Sequence, residues 1–234
     1  MIITARAAAR FASTIALLLA PAQAFAVVQD SQIWTQTNAV VPLSKQFRLT
    51  LEQISRFSDR QSGLYTTEWG GLLGYKVSKA VELGFGYRHV GFHNGNTAPD
   101  EERIRQQVVI TTGRWMGRFR IDERFHPKGN EIGFRLRPLI RYNLPVGTKG
   151  VALYLNHESI FLANSTSWGQ KAGYDRMRNS AGISFPIAKF LQGDVGYLNQ
   201  YLFASGRPHA EMDHALNMQL TINFGALTGP LLHD

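Results

Sequence analysis

The sequence predicts an all-β protein, an antiparallel up-and-down transmembrane β-barrel of 10–12 strands. Three observations support this prediction. Apolar and polar residues alternate with a period of two in successive segments, short turns and longer loops connect those segments, and aromatic residues recur near the segment ends. Alternation of this kind indicates strands with one apolar and one polar side. Asymmetric connections and aromatic girdles are typical of outer-membrane barrels.

The clearest alternation lies in the predicted hairpin at residues 118–141. On its first arm the apolar residues Phe119, Ile121 and Phe125 alternate with the charged residues Arg118, Arg120, Asp122 and Arg124. Beyond a break at 127–130, the second arm alternates Ile132, Phe134, Leu136, Ile140 and Tyr142 with Glu131, Arg135, Arg137 and Arg141. The polar side is therefore charged rather than merely hydrophilic.

The same reasoning places eleven strand candidates along the chain. They cover residues 33–41, 46–57, 64–77, 81–93, 102–112, 118–125, 132–142, 151–163, 176–187, 193–203 and 214–224. Most are close to the roughly 9–11 residues that a tilted strand needs to cross a bilayer. Single-chain bacterial barrels normally have an even number of strands. We therefore expect ten strands, with 33–41 in the lumen or as a short edge piece, or twelve with one more to be found.

The chain divides into a leader, a barrel domain and a tail. Residues 1–26 are predicted to be a cleaved signal peptide, because Arg6 and Arg10 precede a short apolar run that ends in small residues. Residues 27–224 form the barrel domain, and 225–234 form a short C-terminal tail. No cysteine is present, which excludes a lipoprotein anchor, disulfides and thiolate metal sites. The predicted location is the bacterial outer membrane.

The charged sides of the strands are predicted to line the barrel lumen. The residues expected there are Arg48, Glu52, Glu68, Arg88, Arg103, Arg105, Arg120, Asp122, Arg124, Arg135, Arg137, Arg141, Glu158 and Arg178, with Arg56, Glu82 and Glu131 on the same strand sides. Arginine paired with carboxylates suits a confined polar interior. A membrane barrel then turns the apolar set outward: Leu49, Trp69, Leu73, Phe85, Ile110, Phe134, Ile183 and Leu220. A soluble periplasmic binding barrel would instead hold that set inside.

Several short motifs, in order, resemble one known family. They are Trp34, Gly86-Tyr87-Arg88, Glu102-Arg103, the segment from Arg120 to Arg124, Arg135-Leu136-Arg137, Glu158, Asn179 and the segment from Tyr197 to Gln200. Together they resemble the exported bacterial family DUF2490, a domain of unknown function regarded as an outer-membrane-type β-barrel. The resemblance covers about 34–224. It implies the fold and the compartment, and it brings no established activity or catalytic residues.

Two functions fit a barrel with a charged lumen. The lumen could be a structural network of salt bridges, or a narrow pore that prefers anions, since rings of arginine select for anions. Long side chains fill the interior of a narrow barrel, which favours the structural interpretation. The alternative is an outer-membrane hydrolase acting on lipid or peptide at the barrel rim, with candidates in 156–159 (Asn156, His157, Glu158 and Ser159) and at His126. No catalytic residue is assigned, and an enzyme is the less favoured interpretation.

Charge and composition restrict the partners. The formal net charge is +8, but the basic residues alternate along strands instead of clustering, which argues against nucleic acid. Outer-membrane lipid and, during insertion, the barrel-assembly machinery are the expected partners.

One predicted loop is rich in possible ligands, since it holds His209, Glu211, Asp213 and His214. Neither a metal site nor a cofactor is predicted. The sequence predicts neither a substrate nor an oligomeric state.

Overall fold

A computed structural model of the protein describes residues 27–147 and 150–225 as eleven strands. The predicted leader (1–26) and the tail from residue 226 onward lie outside the described residues. The strands are β1 (Val28–Pro42), β2 (Phe47–Ser58), β3 (Gly63–Lys76), β4 (Val81–Phe92), β5 (Glu101–Thr112), β6 (Trp115–Phe125), β7 (Gly133–Val146), β8 (Val151–Leu162), β9 (Gly173–Ala188), β10 (Leu191–Leu202) and β11 (Glu211–Asn223).

The strands close into one barrel in sequence order. Consecutive strands pair antiparallel, whereas β1 and β11 close the barrel as a parallel pair, with Trp34 opposite Asn217. In an up-and-down barrel the direction alternates at each step, so an odd number of strands makes the first and last run the same way. The expected even number is therefore wrong. The first candidate is a full wall strand that begins at Val28, not a lumenal or edge piece.

The two ends of the barrel differ in their connections. At one end, called the turn end, short turns at 43–46, 77–80, 113–114 and 189–190 join the strands, as does the β7–β8 connection. At the other, called the loop end, the connections are 59–62, 93–100, 126–132, 163–172 and 203–210. This asymmetry follows the predicted pattern. Among the described residues no helix is long and apolar enough to cross a membrane, a finding that does not apply to strands.

The wall turns its apolar side chains outward. Trp69 and Phe85 are each 58% exposed and Leu155 is 61% exposed, while the buried positions of the same strands are largely polar or charged. The predicted outward set shares this orientation, since its members are exposed or half-buried. A soluble barrel with an apolar interior is thus wrong. Buried apolar residues form only small groups, such as Trp34 with Leu198 and Ala215.

Inward-facing glycine makes room for the long charged side chains. Gly70 lies between Glu52 of β2 and Arg88 of β4 in the strand register. A Cβ atom at Gly70 would lie 2.4 Å from the carbonyl oxygen of Tyr87 and 3.2 Å from the Arg88 Cβ atom. Because Gly70 has no side chain, the guanidinium of Arg88 can extend across β3 toward β2.

Candidate functional site: the charged lumen and the outer-wall histidines

All fourteen residues predicted to line the lumen lie on the inner side of the wall. Twelve of them are buried, and Arg124 and Arg178 are partly buried. Arg56 and Glu82 also face inward, where they pair with Glu68 and Arg48. Glu131 does not: it is exposed in the 126–132 connection, because β7 begins only at Gly133. The predicted alternation thus continues to residue 131, two residues before the strand begins.

One cluster of ion pairs joins strands β2 to β5. Glu52 Oε2 lies 2.7 Å from Arg88 Nη2 and 2.5 Å from Arg105 Nη2. The second guanidinium nitrogen of Arg88 lies 2.7 Å from Glu68 Oε2, and Arg56 lies 2.8 Å from the other oxygen of Glu68. Each carboxylate is therefore shared by at least two arginines, which ties together strands that are not neighbours in the barrel.

A second cluster joins β6 to β9 around Glu158 and Asp122. Glu158 lies 2.6 Å from Arg118, 2.9 Å from Arg137 and 3.3 Å from Arg178. Asp122 lies 2.5 Å from Arg135 and 3.4 Å from Arg137. Arg137 bridges the two carboxylates, so this half of the lumen forms one connected network. Charge-assisted hydrogen bonds of this kind are the strong ones in proteins.

The charged side chains in the middle of the lumen are buried. Asp122 is 0% exposed, and Arg105 and Arg120 are each 1% exposed. In a continuous water-filled pore, the charged side chains of the wall would be in contact with solvent. The middle of the barrel is therefore filled by its own side chains, chiefly arginines and their carboxylate partners.

Toward the loop end the lumen widens into a cavity of about 220 Å³, which we call the arginine vestibule. Its lining includes seven arginines (Arg56, Arg103, Arg124, Arg135, Arg137, Arg176 and Arg178) and one carboxylate, Glu68. The guanidiniums of Arg56 and Arg178 lie 4.4 and 4.9 Å from the ring centre of Trp34. A second cavity of about 260 Å³ shares several of these arginines and opens among the loops.

The 126–132 and 163–172 connections pack together at this end. Trp168 Nε1 donates a 2.8 Å hydrogen bond to the backbone oxygen of Glu131, and the indole stacks on His126 with 4.8 Å between ring centres. The backbone N–H of Ser167 donates to the Glu131 carboxylate and holds the pKa of that group below its ordinary value. Partial burial lowers the pKa of His126.

Sequence reasoning missed several members of the charged lumen. Arg118 shares the polar side of the 118–141 hairpin, so the alternation alone could have added it. Glu101 begins β5 and pairs with Arg103 and Arg124. Asp175 lies 2.5 Å from Arg176 and 2.6 Å from Arg207. In the β8–β9 pair, Ile160 is opposite Arg176 and Phe161 is opposite Tyr174, so Asp175 is an extra residue in β9. At this irregularity the adjacent residues Asp175 and Arg176 both turn inward, which simple alternation cannot predict.

The predicted ligand-rich loop is mostly strand. Glu211, Asp213 and His214 belong to β11, and Asp213 is buried while His214 contacts Tyr197 on the outer wall. Asp213 and His214 are adjacent on the strand and point to opposite sides, so the four residues do not converge on one point. Across residues 27–147 and 150–225, no group of three or more His, Cys, Asp or Glu side chains could hold a metal ion.

On the outer wall, His157 of β8 contacts two side chains. Its Nε2 atom lies 3.0 Å from Ser159 Oγ, and its Nδ1 atom lies 2.7 Å from Asn179 Oδ1 of β9. Ser159 Oγ also lies 3.0 Å from the Tyr174 hydroxyl. Glu158, which separates His157 from Ser159 in the sequence, points into the lumen instead. Of the residues in the predicted 156–159 segment, His157 and Ser159 are therefore brought together.

Fold and interior define the protein as a closed β-barrel whose lumen is filled by arginine–carboxylate ion pairs. The chain belongs to the family described as protein of unknown function (DUF2490), whose model matches residues 31–211. An uncharacterized protein of Methylorubrum extorquens is 30% identical over 208 residues, which cover 84% of this chain and 89% of that protein. A chain from work on the in-meso crystallization of membrane proteins aligns over 78% of this chain and 79% of its own length, with 12% identity and a TM-score of 0.40. A similarity that weak supports no conclusion.

Proposed function

We propose that the protein is a bacterial outer-membrane β-barrel with a structural role, closed to ions through its middle. The observation that carries this proposal is the complete burial of ion-paired side chains at mid-barrel, with Asp122 0% exposed. The outward apolar wall supports contact with outer-membrane lipid, and the short turns at one end suit insertion by the barrel-assembly machinery. An anion-preferring pore would need water along the arginines.

Planar bilayers test the closed lumen directly. Purified protein is first shown to be folded by heat-modifiable migration in gels and is then added to the bilayer. We expect no steady conductance steps in potassium chloride. The variant for comparison is Glu158→Ala, which removes a carboxylate from the central network of ion pairs and leaves the outer wall unchanged. Anion-selective steps from the unaltered protein would contradict the closed lumen and favour the narrow pore.

The arginine vestibule supports a second function, the capture of a small anion at the loop end. Seven arginines and one carboxylate line a cavity of about 220 Å³. This excess of positive charge suits a multiply charged anion, and planar guanidiniums suit phosphate and carboxylate groups. The chemistry therefore favours a phosphate-bearing or carboxylate-bearing solute small enough for the cavity.

Tryptophan emission reports on this site, because Arg56 and Arg178 stack on Trp34. We expect inorganic pyrophosphate to change the emission in a saturable manner, with an affinity that weakens as salt concentration rises. Arg178→Ala should weaken binding, while Arg114→Ala, an exposed arginine at the turn end, should not. Equal titrations for the three proteins would rule out capture in the vestibule.

A further inference from the structure

The hydrogen bonds of His157 on the outer wall have the connectivity of a nucleophile, a general base and an orienting group. We call Ser159, His157 and Asn179 the outer-wall triad. Because Asn179 Oδ1 is an acceptor, the Nδ1 atom of His157 must carry the proton in the neutral ring. Nε2 is then the free acceptor, 3.0 Å from Ser159 Oγ. This tautomer allows His157 to take the proton of the serine hydroxyl.

The strand register explains why the three groups meet. His157 and Asn179 are opposite each other in the β8–β9 pair, and Ser159 is two residues further along β8 on the same side of the wall. Residues two apart on a strand share a face, so the serine and asparagine flank one imidazole. Rigid strands hold this arrangement more firmly than loops could.

Tyr174 supplies a hydrogen-bond donor next to the nucleophile. Its hydroxyl lies 3.0 Å from Ser159 Oγ. Ser159 gives its own proton to His157, so Tyr174 is the donor in this contact. Backbone N–H groups within a barrel wall already donate hydrogen bonds to the carbonyl groups of neighbouring strands. A side-chain hydroxyl is therefore the available group for stabilising the oxyanion that forms on the ester carbonyl oxygen when Ser159 Oγ attacks.

An apolar groove of about 520 Å³ adjoins the triad on the same strands. Its lining includes Leu153, Leu155, Ala181 and Ile183. Leu155 and Ala181 are opposite each other in the register, one step toward the turn end from the pair of His157 and Asn179. The groove therefore leads away from Ser159 along the wall, in the direction that an extended hydrocarbon chain would take into a membrane.

The other outer-wall histidines do not combine these features. Within the described part of the chain, His93 Nε2 contacts Thr67, His214 contacts Tyr197, and His89 contacts Glu102. None of these three histidines has a serine hydroxyl at one ring nitrogen and an amide oxygen at the other. The arrangement at His157 is thus more than the ordinary pairing of polar groups on the wall.

We infer that the outer-wall triad hydrolyses acyl esters of membrane lipids, with the acyl chain lying in the apolar groove. Ser159 Oγ attacks the ester carbonyl carbon while its proton moves to His157 Nε2, and Tyr174 donates a hydrogen bond to the resulting oxyanion. The bond to the alcohol oxygen breaks, and His157 returns the proton to that oxygen. Water then attacks the acyl-serine with the same proton transfers, releasing a fatty acid and free Ser159.

The inferred activity rests on the proposed function in one respect: a membrane lipid can be the substrate only if the protein lies in a membrane. The triad and the groove lie on the outer wall, separate from the charged lumen. Insertion is judged by heat-modifiable migration and hydrolysis by fatty-acid release. Failure of one proposal is therefore distinguishable from failure of the other.

The first test labels the nucleophile. A fluorophosphonate probe should react with Ser159 in the full-length protein in detergent micelles, and Ser159→Ala should abolish the labelling. Ser55→Ala is the matched control, since Ser55 faces outward on β2 and contacts a glutamine. Both variants should keep heat-modifiable migration. Absence of labelling at Ser159 in the folded protein would overturn the inference.

The second test measures fatty-acid release from reconstituted phosphatidylethanolamine–phosphatidylglycerol vesicles. His157→Ala should lower the rate by about 10²–10⁴-fold, the usual contribution of a general base. Asn179 acts through His157 as a positioning residue. Asn179→Ala should therefore lower kcat at unchanged KM, and Asn179→Asp should restore it. Release that is undetectable from the folded protein, or undiminished in Ser159→Ala, would disprove the activity.

Chain-length selectivity tests the groove itself. Ala181→Phe is designed to fill the groove beside Leu155 while Ser159, His157 and Asn179 stay unchanged. We expect this variant to lose hydrolysis of p-nitrophenyl palmitate in micelles while keeping that of p-nitrophenyl acetate. Equal loss of both substrates, or retention of both, would show that the groove does not hold the acyl chain.

Discussion

Arg88 of β4 forms a 2.7 Å ion pair with Glu52 of β2, two strands away, across Gly70 of β3. Neighbouring strands in a barrel are joined by their backbone ladder, whereas this pair joins strands that share no ladder. The contact depends on three positions at one level of the wall: a carboxylate, a glycine and an arginine. The ion pairs of the interior thus depend on glycine positions, where no side chain fills the space, as well as on the charged residues.

Gly70→Val should destabilise the barrel. The new Cβ atom would meet backbone atoms of Tyr87 and Arg88, so the β3–β4 pair must shift or Arg88 must leave Glu52. Overpacking of this kind typically costs about 1–3 kcal/mol. The measurement is the temperature at which the protein loses its folded gel mobility. Gly117→Val is the matched control, because nothing lies within 4 Å of a Cβ atom at Gly117. Equal effects of the two variants would contradict the role of Gly70.

Asp122→Ala and Glu158→Ala should each lower the unfolding temperature clearly. Either change leaves arginines buried without their carboxylate, and breaking a fully buried pair costs about 3–5 kcal/mol. If water filled the lumen, the cost would fall to about 0–1 kcal/mol. Glu123→Ala is the control, since Glu123 adjoins Asp122 on β6 but contacts Gln106 on the outer wall. Unchanged stability together with altered anion conductance would mean that the lumen is an open pathway.

Deleting residues 216–224 should abolish membrane insertion, while deleting the tail, 225–234, should not. Strand β11 pairs with β10 on one side and with β1 on the other, so its loss opens the barrel and exposes two edges. Its register with β1 ends at Asn223, and the Phe224 N–H donates to Val40 at 2.9 Å. Heat-modifiable migration in membrane fractions is the measurement. Normal migration of the strand-deleted form would refute the prediction.

Acidification should loosen the contact between the 126–132 and 163–172 connections. The Ser167 N–H lowers the pKa of Glu131, so this carboxylate contributes stability above its ordinary pKa of 4.5. That contribution is lost as pH falls through the lowered value. In micelles the Ser167 amide resonance should titrate below pH 4.5, and Glu131→Gln should remove the titration. A midpoint at or above 4.5 would show that the hydrogen bond does not favour the charged form.

Much of the wall could be predicted from alternation, because a strand with one apolar outward side and one charged inward side leaves a strict period of two. The fourteen predicted lumen positions all fall on the inner side for that reason. Alternation fails where the backbone departs from regular pairing. Asp175 and Arg176 are adjacent and both turn inward at a register shift, and Glu131 lies beyond the strand end.

Other features depend on the whole barrel. The parallel pairing of β1 with β11 follows from the total number of strands, which no local pattern contains. The outer-wall triad is a similar case. His157 and Ser159 are close in the sequence, but Asn179 joins them only through the β8–β9 register. A pattern of residues can suggest a histidine with a serine, and only the pairing of strands supplies the third member.

The parallel closure of the barrel has a consequence for its topology in an envelope. Val28 begins β1 at the loop end, and Asn223 ends β11 at the turn end. A barrel with an even number of strands returns its chain to the compartment where it started, but this one does not. If it spans a bilayer, an epitope placed ahead of Val28 and another placed after Asn223 face opposite compartments. An antibody or protease added outside intact cells would reach one of them and leave the other protected.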